Sequence, residues 1–205
     1  MLGVVGWIDL KADDLEAQLA EFIGHPKLVG FRHVIQGESD PKFMQDPSFI
    51  RGLKLLAKHQ IPYDLLILSH QLSAAIEMLK AVPELSVVID HIAKPDIKSN
   101  SDMQTWAEQI KIIAQLPNVS CKLSGMVTEA DWQHWQGDHF TPYLDIIFQA
   151  FGADRLMYGS DWPVCLVAAN YSQVKSIVSD YIQHLPKDQQ QQIMATNAMN
   201  FYQLT

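Results

Sequence analysis

Short apolar runs of strand length recur along the chain and alternate with segments of helical periodicity. Several of these runs are continuous and rich in Val and Ile, which is typical of strands buried on both faces of a parallel sheet. They span residues 4–10, 28–31, 63–68, 85–89, 119–123 and 156–158. The alternation predicts right-handed βαβ units and therefore an α/β fold.

Two predicted helices carry an N-terminal signal. Asp46 followed by Pro47 indicates a capped helix start, and Asp13 or Asp14 is expected to cap the helix whose apolar face begins at Leu15. The sheet is either an open doubly wound sheet or a closed barrel. No GxGxxG or GxxxxGK[ST] loop follows any strand, which argues against the nucleotide-binding open sheets.

Composition narrows the classes of partner. The 205 residues have 48% hydrophobic content and no low-complexity linker, so we expect one domain over residues 1–205. The net charge of -8 argues against nucleic acid or an anionic membrane surface as the main partner.

The cysteines and the N-terminal segment bear on the compartment. Cys121 and Cys165 have no CxxC spacing, which predicts neither a disulfide framework nor a cysteine zinc site. We therefore expect a cytoplasmic protein. The first residues contain no basic region and only a short apolar run before Asp9, so neither a signal peptide nor a membrane span is predicted.

Ionisable or ligand-type residues cluster just past the predicted strands. A parallel sheet brings all these strand ends to one face, so residues far apart in sequence can meet there. The residues are Arg32, His33, Ser69, His70, Asp90, His91, Lys122, Ser124, Ser160 and Asp161.

Each of these residues also has a structural interpretation. Asp161 lies between small residues after an apolar run, so it could cap the next helix. His33 and His70 could begin helices, and Lys122 could be a structural residue of its strand. Residues 125–141 form a long loop, which could act as a lid or pack as a short surface helix.

Five motifs together resemble the amidohydrolase-related metal-dependent hydrolases. Within that family they are most similar to the sugar-lactonase branch, which includes L-fuconolactonase, L-rhamnono-lactonase and 2-pyrone-4,6-dicarboxylate lactonase. The motifs are GFRHVIQ at 30–36, IDHIAKP at 89–95, CKLSGM at 121–126, YGSDWP at 158–163 and ATNAMNFYQL at 195–204.

The resemblance implies a distorted TIM barrel of which this chain carries strands three to eight. The family's first strand ends in a His-x-His pair, and no such pair occurs in this sequence. A barrel of this kind needs roughly 250 residues, so we expect an incomplete barrel that lacks about the first two βα units. A late gene start, a natural remnant and a deliberate fragment would all give this pattern.

The resemblance also implies roles for individual residues. Asp161 would act as general base, while His91 and His70 would polarise the carbonyl of a cyclic ester. The residues expected to bind substrate are Arg32, His33, Lys122 and Trp162.

The sequence alone does not decide whether the chain binds a metal ion. A divalent ion such as zinc is possible, but a catalytic zinc usually needs three protein ligands. Without the His-x-His pair, at most His70, His91 and Asp161 remain.

The predicted function is hydrolysis of the lactone of a sugar acid or related small carboxylated molecule. The truncated chain is expected to be inactive or weakly active, and to form a homo-oligomer. Two alternatives remain, namely a metal-dependent decarboxylase on the same scaffold and a non-catalytic remnant or interaction protein.

Overall fold

The computed structural model describes residues 1–204, which form one parallel sheet of six strands. The strands are β1 (Val4–Gly6), β2 (Leu28–His33), β3 (Tyr63–Leu65), β4 (Val87–Ile89), β5 (Val119–Leu123) and β6 (Leu156–Tyr158).

The spatial order of the strands is the same as their order in the sequence, from β1 to β6. Every neighbouring pair is parallel. A doubly wound sheet would reverse its order at a switch point, whereas a barrel adds each strand beside the previous one. The winding is therefore that of a TIM-type barrel, which confirms the predicted fold class. Within residues 1–204, β1 and β6 are the edges of the sheet.

Helices connect the strands and cover the outer face of the sheet. One residue that was expected to cap a helix does so, because the Asp46 carboxylate accepts a hydrogen bond from the Ser48 amide at 2.8 Å. The helices are α1 (Leu15–Phe22), α2 (Pro47–Lys58), α3 (Leu72–Ala81), α4 (Met103–Ala114), α5 (Thr141–Phe151), α6 (Tyr171–Tyr181), α7 (Lys187–Gln191) and α8 (Asn197–Phe201).

Some expected details of the elements are wrong. Asp14 stands at the N-cap of α1 but makes no capping bond, and instead accepts from the Gln18 side chain at 2.7 Å. Strand β1 ends at Gly6 rather than at residue 10, because Asp9 starts a turn in which its carboxylate accepts from the Lys11 amide at 3.0 Å.

The two faces of the sheet differ in chemistry. The outer face packs on the helices through a continuous apolar core that includes Phe49, Tyr63 and Trp106. The inner face carries charge, since Arg32 and Asp64 are register partners on β2 and β3. No helix within residues 1–204 is long and apolar enough to cross a membrane. A candidate active site is therefore expected on the charged inner face, at the carboxyl ends of the strands.

Candidate active site

Three side chains that follow three neighbouring strands lie in a row at the carboxyl end of the sheet. Asp161 follows β6, His91 follows β4 and Ser124 follows β5. The Asp161 Oδ1 atom lies 3.4 Å from His91 Nε2, and His91 Nδ1 lies 2.8 Å from the Ser124 hydroxyl oxygen. Asp161 is not a helix cap, because the next α-helix begins at Tyr171 and is capped by Asn170.

His91 is presented by an unusual backbone turn. Four consecutive residues have left-handed φ values, namely 55° for His91, 49° for Ile92, 59° for Ala93 and 48° for Lys94. Left-handed conformation costs roughly 1–2 kcal/mol per non-glycine residue, so the surrounding structure must hold this turn. The buried Trp106 indole supplies one such contact, donating from Nε1 to the Ile92 carbonyl at 2.8 Å.

Two glycines allow neighbouring loops to approach His91 and Ser124 closely. Gly125 has a φ of 65°, and a Cβ placed on it would lie 2.6 Å from the Cβ of His91. A Cβ on Gly159 would lie 3.0 Å from that of Ser124. At both positions a side chain would force its neighbours apart, so the glycines fix the packing of the site.

Burial shifts the proton equilibria of the pair. Loss of solvent raises the pKa of Asp161, against the opposing effect of His91 and Lys94. Loss of solvent also lowers the pKa of His91 below its usual 6.5, although the charges of Asp90 and Asp161 work in the other direction. Near neutral pH this arrangement favours a neutral imidazole beside a carboxylate of increased basicity.

A buried ionic network lies on the inner face of the sheet. Arg32 Nη1 contacts Asp90 Oδ2 at 3.1 Å, and Lys122 Nζ contacts Asp90 Oδ1 at 2.7 Å. The same ammonium lies 2.5 Å from Asp64 Oδ2, and the Tyr202 hydroxyl donates to Asp64 at 2.8 Å. Two cations and two carboxylates thus compensate one another within the barrel interior.

The network also sets the protonation of its carboxyl groups. Burial tends to raise the pKa of Asp90, but Lys122, His91 and Arg32 outweigh it and lower the pKa below the usual value. For Asp64 burial dominates, so its pKa is raised despite the Lys122 ammonium. Asp90 is therefore ionised, and its carboxylate lies between the Arg32 and Lys122 cations.

His33 lies apart from this cluster. Its Nε2 is 2.6 Å from the Glu38 carboxylate, and its Nδ1 accepts from the Trp7 indole at 3.3 Å. The ring also stacks on Phe43 with centroids 4.8 Å apart. Both ring nitrogens therefore have protein hydrogen-bond partners, and the role of His33 in substrate binding stays a prediction.

Two further residues predicted for the site lie at its exposed rim. His70 sits on the short turn Ser69–Gln71 and is exposed, and within residues 1–204 its imidazole makes no hydrogen bond. Trp162 is 63% exposed and directly follows Asp161. Within residues 1–204, no hydrogen bond joins either ring to the His91–Asp161 pair.

The loop at 125–141 is fastened to the rest of the molecule. Trp135 donates from its indole nitrogen to the Ala168 carbonyl at 2.9 Å, which ties the loop to the segment after β6. Trp132 donates to the Thr128 carbonyl within the loop, also at 2.9 Å, and its ring is 54% exposed. Of the two expectations for this loop, the contacts favour packing as surface structure.

The described residues do not complete a zinc site. Within residues 1–204, no group of three or more His, Cys, Asp or Glu side chains could hold a metal ion. His91 and Asp161 supply two adjacent donors, whereas a catalytic zinc uses three protein ligands and an open position.

Asp90 and three further residues of the site were not assigned a role from the sequence. Asp64 interrupts the apolar run of β3, and a carboxylate in such a run is a usable signal for a buried ionic contact. Ser124 follows a strand like the other site residues. Tyr202 gives no local signal, since it reaches Asp64 across 138 positions of sequence.

Comparisons with known proteins agree with this architecture. The family profile described as Amidohydrolase matches residues 1–204. A protein of Burkholderia multivorans named L-fucono-1,5-lactonase is 41% identical over 85% of this chain, and one of the same name from Burkholderia ambifaria is 34% identical over 98%. The chain spans 62% and 70% of the length of these two relatives.

A solved structure extends the agreement to three dimensions. The crystal structure of an amidohydrolase from Burkholderia multivorans, described with bound zinc, superposes with a TM-score of 0.95 at 38% identity. The match covers all of this chain and 74% of that one. The family profile, the two relatives and this superposition lead to the same conclusion, which confirms the resemblance found in the motifs: the chain belongs to the amidohydrolase family.

Proposed function

We propose that this chain carries the proton-transfer and substrate-binding residues of a sugar-acid lactone hydrolase. The observation that carries the proposal is the pairing of Asp161 with His91 at 3.4 Å, at the carboxyl end of the sheet. A carboxylate of raised pKa beside a neutral imidazole suits general base catalysis with a hydrogen-bond donor nearby. The names of the Burkholderia relatives supply the substrate class.

The proposed reaction begins with a water molecule that attacks the lactone carbonyl. Asp161 takes the proton from this water, and an N–H of His91 stabilises the oxyanion that develops on the carbonyl oxygen. The ester C–O bond of the ring then breaks. Asp161 returns the proton to the leaving alkoxide, so the product is the open hydroxy acid.

Arg32 is the proposed substrate-binding cation. One of its guanidinium nitrogens contacts Asp90, and 41% of the side chain is exposed, so other N–H groups are free for a substrate hydroxyl or carboxylate. Lys122 is held between Asp64 and Asp90, and we assign it to supporting Arg32 rather than to contacting substrate. His70 and Trp162 are proposed as contacts at the rim of the site.

Exposed apolar side chains bear on the state of the molecule in solution. The edge strand β1 leaves Val4 exposed at 43%, and the segment after the other edge strand, β6, leaves Val167 exposed at 49%. Such edges favour pairing with another chain, so we propose that the chain forms a homo-oligomer. We also propose that this chain is a single domain and is weakly active or inactive. Both cysteines are buried free thiols, which supports a reducing, cytoplasmic location.

The test is hydrolysis of L-fucono-1,5-lactone by the purified chain at high enzyme concentration, with the spontaneous rate subtracted. Asp161→Asn should lower any enzymatic rate by about a hundredfold or more. Asp188→Asn is the matched control, because Asp188 is exposed on α7. A measurable rate that is equal in the two variants would contradict the role proposed for Asp161. A rate as high as that of a full-length relative would contradict the proposed weak activity of this chain. Release of carbon dioxide from aromatic carboxylates would favour the decarboxylase alternative instead.

A further inference from the structure

The two ring nitrogens of His91 face groups of different hydrogen-bonding capacity. Nε2 lies 3.4 Å from the Asp161 carboxylate, and Nδ1 lies 2.8 Å from the Ser124 hydroxyl. An ionised carboxylate only accepts hydrogen bonds, whereas a serine hydroxyl both donates and accepts. A neutral imidazole carries one proton, so the two neighbours decide which nitrogen holds it.

Only one assignment places a proton between each pair of facing atoms. With the proton on Nε2, the imidazole presents N–H towards Asp161 at 3.4 Å, longer than an ordinary hydrogen bond, and its Nδ1 lone pair accepts the Ser124 hydroxyl proton. With the proton on Nδ1, the lone pair of Nε2 would face the lone pairs of the carboxylate. Within residues 1–204 the Ser124 hydroxyl has no other hydrogen-bond partner, so its proton is available for Nδ1.

We infer that Ser124 is a positioning residue that holds His91 as the Nε2–H tautomer, and so makes His91 a hydrogen-bond donor in the site rather than a second base. The tautomer itself does not depend on the proposed lactonase reaction. Its catalytic consequence does, because a donor is useful only where negative charge develops on a substrate oxygen.

Packing keeps the hydroxyl and the ring together. Ser124 is 2% exposed, and the Gly159 backbone lies against its Cβ. The Gly125 backbone approaches so closely that a Cβ there would lie 2.8 Å from His91 Nδ1. The close approach of both glycines and the burial of Ser124 keep the hydroxyl and the ring in dense surroundings, which favours retention of the hydrogen bond between them.

The experiment is nitrogen NMR of the full chain with ¹⁵N-labelled histidine, recorded at about pH 8 so that the imidazole is neutral. The signals of His91 are identified by their loss in His91→Gln. We expect a protonated Nε2 and an unprotonated Nδ1 in the wild type. In Ser124→Ala, both nitrogens should shift towards the averaged values of a tautomer mixture. Ser120→Ala, on the same strand, is the matched control and should leave both signals unchanged.

A protonated Nδ1 in the wild type would overturn the inference, as would a Ser124→Ala spectrum identical to that of the wild type. Should Ser124→Ala fail to fold, Ser124→Cys serves instead, because a thiol keeps a weaker donor and predicts intermediate shifts. Where lactone opening is measurable, Ser124→Ala should lower kcat about tenfold with little change in KM, and Ser124→Cys should restore part of the rate. Absence of turnover would agree with the inactive form proposed for this chain, and the nitrogen shifts would then be the test of the tautomer.

Discussion

Asp161 holds a negative charge in a place where burial disfavours it. The same loss of solvent that strengthens it as a base also raises its pKa in the folded chain, whereas in the unfolded chain it titrates near 3.8. The folded state therefore binds a proton more tightly than the unfolded state. Between the two pKa values the stability of the wild type falls as pH rises, and the loss is complete above the folded pKa.

Asp161→Asn should therefore stabilise the protein near pH 7. The asparagine keeps the shape of the side chain and removes the charge, so the gain should shrink as the pH falls towards about 3.5. Urea unfolding of both proteins at several pH values measures the difference. Asp188→Asn should show no comparable gain, and a destabilised Asp161→Asn at pH 7 would contradict this account.

Gly125 is the residue whose replacement should disturb the site most directly. Gly125→Ala adds a methyl group 2.6 Å from the Cβ of His91 at a φ of 65°. We expect a loss of about 1–3 kcal/mol in unfolding free energy from crowding and backbone strain. Gly137→Ala is the control, because a Cβ there meets no neighbour within 4 Å, and it should stay within about 0.5 kcal/mol of the wild type.

At the scale of single residues, the sequence predicts where a side chain lies in the sheet better than which other side chains it contacts. Arg32, His91 and Asp161 each follow an apolar run, and that placement alone puts them at one end of a parallel sheet. The partners of Lys122 could not be predicted in the same way, because Asp64 lies 58 positions away and on a strand that is not its neighbour. The catalytic roles of these residues stay predictions until the variants are measured.

The turn after β4 is the element under most backbone strain. Ala93 lies in its left-handed stretch, and Ala75 lies in α3, while both side chains are 0% exposed. Glycine at either position loses the same buried methyl group. In the helix it also adds a penalty of about 1 kcal/mol, whereas in the left-handed turn it relieves strain.

Ala93→Gly should therefore destabilise the protein by at least about 1 kcal/mol less than Ala75→Gly. Denaturant unfolding of the two variants beside the wild type measures this difference directly. A similar cost at both positions would mean that the turn is not strained in solution.

The elements show why some bounds were predictable and others were not. The bounds of β5 and β6 agree with their apolar runs, since each run coincides with sheet pairing. The run at 63–68 contains only a three-residue strand, Tyr63–Leu65. Leu66 leaves the sheet because its carbonyl accepts from the Gln36 amide of another loop, at 3.1 Å, and no local pattern reports such a contact. The left-handed turn is likewise invisible in a sequence that contains no glycine between His91 and Lys94.

At the scale of the whole molecule, the proposed association depends on the two sheet edges that β1 and β6 form within residues 1–204. Val4 lies on the edge strand β1 and is 43% exposed, and Ile112 lies on α4 and is 44% exposed. A lysine on an edge strand opposes pairing with a second chain, while a lysine on a helix surface does not.

Val4→Lys should therefore shift the chain towards monomer, and Ile112→Lys should leave its association unchanged. Light scattering over a range of protein concentrations distinguishes the species. A wild type that is monomeric at every concentration would contradict the proposed homo-oligomer.

The global architecture was the most predictable level. Six apolar runs alternating with helical segments are sufficient for a parallel sheet, and the absence of a glycine-rich phosphate loop favours a barrel over a nucleotide-binding sheet. The strand order and the family match confirm this. What composition could not predict is the charged interior, which depends on side chains that meet only after the sheet has formed.

The left-handed turn at His91 also has a consequence for the order in which the protein acquires its structure. The local conformational preference of its residues opposes the turn, so we expect the turn to form only once the sheet and the Trp106 contact exist. The imidazole should therefore reach its final environment late in folding, after most helices are present. A compact but loosely packed chain would keep its far-ultraviolet circular dichroism and lose the distinct His91 signal, so that signal reports whether tertiary structure is complete.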